Sequence, residues 1–227
     1  MGQGEIVEIA QGVLWPVVLY DEQQRPDAIC VHSNDVGPSL IAQCAANLFH
    51  LCMFLQKRDS IPLVVINGTT KEEWKKRQNI EFGGTEMWRD LMLTRGAVPE
   101  EYILSTNIAV HTGAEADEFV RLAKERRWKT VVDVALPYHQ LRCFLTMIQA
   151  MRRARYYLDV YNLTFPISSW THQARRVLLG GAFEEGTYLN RIFGEHDRIA
   201  RYTKEGKCAT LADALAYLAK RGTGAWK

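Results

Sequence analysis

Thr130-Val-Val-Asp-Val-Ala-Leu136 lies between two stretches of helical spacing, and that placing decides the fold. The segment is short, β-branched and nearly continuous in apolar residues, which is the composition of a strand covered on both faces. Ahead of it, Ala114 to Trp128 sets Phe119, Leu122 and Ala123 on one stripe. Behind it, Leu141, Phe144, Leu145 and Ile148 recur at i, i+3, i+4 and i+7. The same alternation extends in both directions. Asp27-Ala-Ile-Cys-Val-His-Ser33 and Leu63-Val-Val-Ile-Asn67 read as strands, Tyr156 to Leu163 as a looser one, and Tyr102 to Ser105 as a short one. Pro38 to Gln56 reads as a helix opening on its proline, and Thr85 to Thr94 as one stopped by Gly96.

Strands alternating with helices of this length predict an α/β chain whose sheet is mostly parallel and covered by helices. The ends read as helical extensions. Glu5 to Tyr20 forms one disturbed at Pro16, and the tail from Thr187 holds two segments divided by Gly206-Lys-Cys-Ala209. There is no internal repeat, low-complexity tract or Pro/Ser-rich linker, so a single domain over 1–227 is expected, with its core over about 27–165 and a C-terminal helical extension over about 170–227.

Composition removes several function classes. The 28 basic and 26 acidic residues leave a net charge of +2, which gives no general attraction to nucleic acid or anionic membrane. No apolar run approaches the roughly 20 residues needed to cross a bilayer. Glu5 and Glu8 precede the first apolar stretch, where a secretory signal would carry positive charge. The five cysteines are scattered and never spaced CxxC, as expected of thiols in a reducing compartment, and no metal site is expected from them. A cytoplasmic protein with a small-molecule ligand, and neither a nucleic-acid nor a membrane partner, fits these totals. The basic runs Lys124 to Lys129 and Arg152 to Arg155 fall at helix C-termini, where the dipole favours cations, and read as solvated faces.

In an open parallel sheet, ligands bind outside the carboxyl ends of the strands, where turns feed helix N-termini that attract anions. Two such turns are small and polar: His32-Ser33-Asn-Asp35 with the residues up to Ser39, and Asn67-Gly68-Thr69-Thr70. Either offers backbone donors to an anion, or is an ordinary connection with Ser or Asn as a cap. His111-Thr112-Gly113-Ala-Glu115 stands before a helix, and its Thr-x-x-Glu spacing fits a capping box with His111 exposed at the helix mouth. After the third long strand, His139 and Arg142 fall three residues apart at a helix start, either as an anion clamp or as a cap and a surface arginine. Between Gly68 and Thr85 a polar insertion carries Lys75, Lys76 and Arg77, with Gly83-Gly84 as a hinge, and reads as a lid or a solvated loop.

Taken in order, these pieces resemble the YdcF-like branch of the ElyC/SanA/YdcF family over Trp15 to Gly222. Asp27-Ala-Ile-Cys-Val31 is similar to its first strand, Val65-Ile-Asn-Gly-Thr69 to its second strand and turn, and Thr85-Glu86-Met87 to the step opening its next helix. His111-Thr-Gly-Ala-Glu115, Pro137-Tyr-His-Gln-Leu-Arg142 and Gly194-Glu-His-Asp-Arg-Ile-Ala-Arg-Tyr202 resemble its later motifs. Ala114 stands where that family usually has Glu, and Asn67-Gly-Thr69 where Ser is usually followed by two glycines. The resemblance implies a Rossmann-like three-layer sandwich with a nucleotide-type ligand, S-adenosylmethionine being the suggested one. Ser33, Asn34, Asp35, Gly68, Thr69, Thr112 and Gly113 would surround that ligand. Alternatively the site hydrolyses or transfers a phosphate or pyrophosphate ester, with Glu86, His111, Glu115 and His139 as acid–base groups and Arg142 offsetting developing charge. A methyltransferase is a third reading, set back by the missing Gly-rich first turn.

Overall fold

The computed structural model describes residues 25–32, 38–55, 61–79, 81–165, 170–171, 173, 176–177, 183–184 and 186–223. Five strands form one all-parallel sheet: β1 (Ala28–Val31), β2 (Leu63–Ile66), β3 (Ile103–Ser105), β4 (Thr130–Val134) and β5 (Asp159–Leu163), in the order β3-β2-β1-β4-β5. The chain moves outward from β1 through β2 to β3, then crosses back to lay β4 on the other side of β1. That reversal places a switch point between β1 and β4.

Helices cover both faces, giving the three-layer, Rossmann-like α/β arrangement. On one face, α1 (Pro38–Leu55) and α3 (Gly84–Asp90) pack on Ile29, Val31, Val64, Ile66, Val132 and Val134. On the other, α4 (Thr112–Arg126), α5 (Gln140–Ala154) and α7 (Leu211–Leu218) pack on Ala28, Cys30, Val65, Val131 and Val160. The division follows from the two-residue alternation of each strand. The stripe Leu141, Phe144, Leu145 and Ile148 is wholly buried, as its spacing predicts. On α4, Val120 joins Phe119 and Ala123 in the core, and Leu122 is only partly covered.

Two expectations change in detail. The insertion after β2 is no loop over 71–78: it forms α2 (Lys71–Gln78), with Thr70 as N-cap and Asn79 in a left-handed C-cap. Its ends close on each other, because the Thr85 amide donates to the Thr69 carbonyl at 2.9 Å. Gly84 sits at φ +61, where a Cβ would overlap the Lys71 amide, so it permits that closure rather than acting as a hinge. Lys75 and Arg77 pair with Glu81 and Glu73. The helix from Thr85 also runs on through a π-helical turn over Leu91–Arg95 to Gly96. Gly96 is needed there because a Cβ would press on Ala46 of α1, the left-handed residue being Ala97.

The tail bears out its two segments, α6 (Tyr188–Lys204) and α7, divided at Gly206 in the left-handed region. While Tyr188 and Ile192 at the start of α6 pack on the sheet's first face, α7 and the later part of α6 belong to the second. Ile199 and Tyr217 join its core, and the Tyr217 hydroxyl bridges the Leu158 carbonyl and the Val160 amide. Arg152 pairs with Asp213 and Arg153 with Asp117, so the basic run at the end of α5 ties three helices together. Between β5 and α6 lies a small antiparallel pair, β6 (Arg176–Val177) with β7 (Phe183–Glu184). The segment read as an N-terminal helix, Glu5 to Tyr20, lies outside the described residues. Among the described residues no helix is long and apolar enough to cross a membrane.

Candidate functional site

The face of the sheet beneath α4 and α5 turns polar at the carboxyl ends of its strands. Cys30 and Asp133 are register partners on β1 and β4, and His32 and Asn67 follow β1 and β2 on the same face. All four are buried, and they lie at the switch point rather than around it. His32 Nε2 approaches Asp133 Oδ1 at 2.7 Å but out of line, so neither atom has an aligned hydrogen bond. The other ring nitrogen, Nδ1, lies 3.4 Å from Glu115 Oε2. Burial disfavours charge on His32, but the neighbouring Asp133 carboxylate outweighs it and holds the imidazole well above its ordinary pKa.

Glu115 enters this group because α4 starts one residue earlier than its sequence suggests. The N-cap is His111, whose Nδ1 accepts from the Ala114 amide at 3.0 Å, and Thr112 is the first helical residue. Ala114 rather than Glu115 therefore holds the third helical position that the expected capping box requires. Its carboxylate turns inward, where Asn67 donates to Oε1 at 2.6 Å. Asn67 also donates to the Ala109 carbonyl at 2.7 Å and accepts from the Thr69 amide at 2.8 Å. His111 remains exposed, with Nε2 turned to carry the ring proton while Nδ1 accepts.

A second group adjoins the first through α5. His139 is the N-cap residue and Arg142 lies in the first turn, as their spacing predicts. Arg142 Nη2 lies 2.9 Å from His139 Nδ1, and Nη1 donates to Thr112 Oγ1 at 2.9 Å. Arg142 also pairs with Glu195 of α6 through Nε. Burial works to raise the Glu195 pKa, but His139 and Arg142 beside it hold the carboxyl down at about 2. The rings of His32 and His139 meet edge to face with centroids 6.3 Å apart. Burial opposes a thiolate at Cys143, but His139 and His32 outweigh it and lower that thiol below its ordinary value. Gln140 fixes the floor of the site, donating to Asp133 Oδ2 and Asn162 Oδ1 at 3.1 Å each and accepting from the Ala135 amide.

The structure thus brings His139, Arg142, Thr112 and Glu115 together and sets His111 and Gly113 at the adjoining helix mouth. Gly113 is the second residue of α4, where a Cβ would crowd His111. Glu86 stands apart from them: it is exposed and accepts from the Lys71 amide at the start of α2. Gly68 and Thr69 are used by the protein itself. A Cβ at Gly68 would overlap the Thr106 carbonyl, and the fully buried Thr69 hydroxyl accepts from the Ala109 amide at 2.7 Å. Ser33, Asn34 and Asp35 lie outside the described residues.

Sequence reasoning placed His32, Asn67, Gln140 and Glu195 within candidate turns or family motifs without giving them a role, and it missed Cys30, Asp133 and Cys143. Two signals were available. Asp133 interrupts an otherwise apolar strand, and Cys30 and His32 share a strand face at its carboxyl end. No protein-family model and no curated protein matches this sequence.

Proposed function

We propose that this is a cytoplasmic protein of the YdcF-like kind that binds a small anionic molecule of the nucleotide or adenosyl class, S-adenosylmethionine included. The ligand sits at the carboxyl ends of β1, β2 and β4. One observation carries the reading: buried polar side chains from β1, β2, β4, α4, α5 and α6 converge at the sheet's switch point. Burying such groups costs free energy that an apolar core would not. Exposed His111, the first turn of α4 and Arg142 face the ligand's charged end. The 15-residue α4 adds the partial positive charge of its N-terminus. Because Glu195 already pairs with Arg142, that arginine supplies direction more than net charge.

Thermal-shift screening and calorimetry with S-adenosylmethionine, S-adenosylhomocysteine and nucleoside mono-, di- and triphosphates test the proposal. Saturable binding is expected below millimolar concentration, weakened at least about tenfold, or about 1.4 kcal/mol, by Arg142→Gln. A wild-type protein that responds to none of them at millimolar concentration sinks it.

A second reading, phosphoester or pyrophosphate hydrolysis or transfer, is favoured by His139 and Arg142, which lie 2.9 Å apart at the start of α5. An imidazole there exchanges a proton while the guanidinium offsets developing charge. Turnover of a phosphoester panel that is lost in His139→Ala and Arg142→Ala would favour this reading over binding alone.

A further inference from the structure

The out-of-line approach of His32 to Asp133 is poor geometry for a pair that exists only to satisfy itself. A buried imidazole and carboxylate normally align their hydrogen bond, since an unpaired buried polar atom costs about 1–3 kcal/mol. Here Nε2 and Oδ1 are both buried, and among the described residues neither has an aligned partner. The Cys30 sulfur completes the group: it, a His32 ring nitrogen and an Asp133 carboxylate oxygen all lie within 4.8 Å of one another.

From this geometry we propose that Cys30, His32 and Asp133 bind a zinc-type divalent metal ion at the switch point. The donors are a thiolate, an imidazole and a carboxylate. That mixture suits zinc and its softer neighbours and excludes magnesium and calcium, which take oxygen ligands. Zinc holds nitrogen and oxygen ligands at about 2.0–2.2 Å, which sets two of them about 3.3–3.6 Å apart across a tetrahedral angle. From the observed 2.7 Å the pair must therefore spread by about 0.6–0.9 Å as the metal enters. Within the ligand set, one thiolate and one carboxylate neutralise a divalent ion.

The surroundings hold each ligand from behind. His32 Nδ1 faces the Glu115 carboxylate at 3.4 Å, the usual partner of a metal-bound histidine, and Asn67 anchors that carboxylate. Gln140 donates to Asp133 Oδ2, leaving Oδ1 for the metal. Three protein ligands leave a fourth position open, as in sites where a metal meets water or substrate rather than only bracing the fold. Cys30 binds as the thiolate, so its proton passes to solvent on metal uptake.

This proposal stands apart from the ligand class named above. The full-length chain, stripped with a chelator, is titrated with cobalt(II) and, in parallel, with zinc followed by elemental analysis. One equivalent of cobalt is expected to bind with a thiolate-to-metal charge-transfer band and tetrahedral d–d bands, and one zinc per chain to survive gel filtration. Cys30→Ser removes the charge-transfer band, Cys44→Ser leaves it, and Glu115→Gln weakens binding by about 10–100-fold. Circular dichroism of each variant reports folding. If Cys30→Ser does not fold, the wild-type titration decides. No charge-transfer band and less than stoichiometric zinc on the wild type, with His32 holding a proton against Asp133 instead, overturns the proposal. So does a band that persists in folded Cys30→Ser.

Discussion

The two faces of one sheet diverge at the same height. Beneath α1 and α3, the carboxyl ends of β1, β2 and β4 present Val31, Ile66 and Val134, all buried among apolar neighbours. Beneath α4 and α5 the residues next in sequence to these, His32, Asn67 and Asp133, are presented instead, the first two one residue on and Asp133 one residue back. Both faces are equally shut from water, so burial alone does not select the residue types. The apolar face shows what this backbone accepts when only stability is at stake. The polar face departs from it beside the sheet's switch point, and each departure costs desolvation that hydrogen bonds only partly return. That difference is the ground for proposing the working site on the polar face.

Breaking the apolar face should cost stability and spare binding. Phe49→Ala, at a fully buried site on α1, is expected to lose about 3–5 kcal/mol in denaturant unfolding while ligand response is kept. On the polar face, Asn67→Ala strips the 2.6 Å donor from a buried carboxylate. It should cost about 1–3 kcal/mol by the same assay and change ligand response as well. A variant that lost stability alone would erase the contrast between the faces.

Acid sharpens the comparison. Glu195 is held at about 2 against an ordinary 4.5, so between those values the unfolded chain binds more protons than the folded one. Its contribution is present above about pH 4.5 and is lost as pH falls toward 2, on the order of 1–2 kcal/mol after allowing for its coupled partners. Denaturant midpoints from pH 5 downward should fall less steeply in Glu195→Gln than in wild type. Smallest of all, Arg153→Ala removes a half-exposed pair with Asp117 and should shift the unfolding free energy by less than about 1 kcal/mol.

Much of the fold was legible because it rests on local pattern. The strands are short and apolar, the helices carry their stripes, and the alternation leaves a helix-covered parallel sheet as the economical result. His139 and Arg142 were legible for the same reason, since three residues at a helix start are neighbours in any fold. The polar face was not. Asn67 meets Glu115 across 48 residues and Arg142 meets Glu195 across 53, and only tertiary packing creates such contacts. One residue of helix register also decided the fate of Glu115. With His111 rather than Thr112 as cap, the carboxylate points into the sheet instead of back along its own helix. The 69–84 segment misled by composition, because all its charged residues but Glu81 belong to the two-turn helix α2 and the segment is tied at its base from Thr69 to Thr85.

Hydrogen–deuterium exchange on the full chain, with and without whichever of S-adenosylmethionine and ATP gives the larger thermal shift, tests the division between the faces most directly. Protection is predicted at His32, at residues 67–70, through residues 109–115 and from Ala135 to Cys143, with α1 unchanged. Protection concentrated on α1, or saturation without change in those four segments, would contradict the assignment of the working site to the polar face.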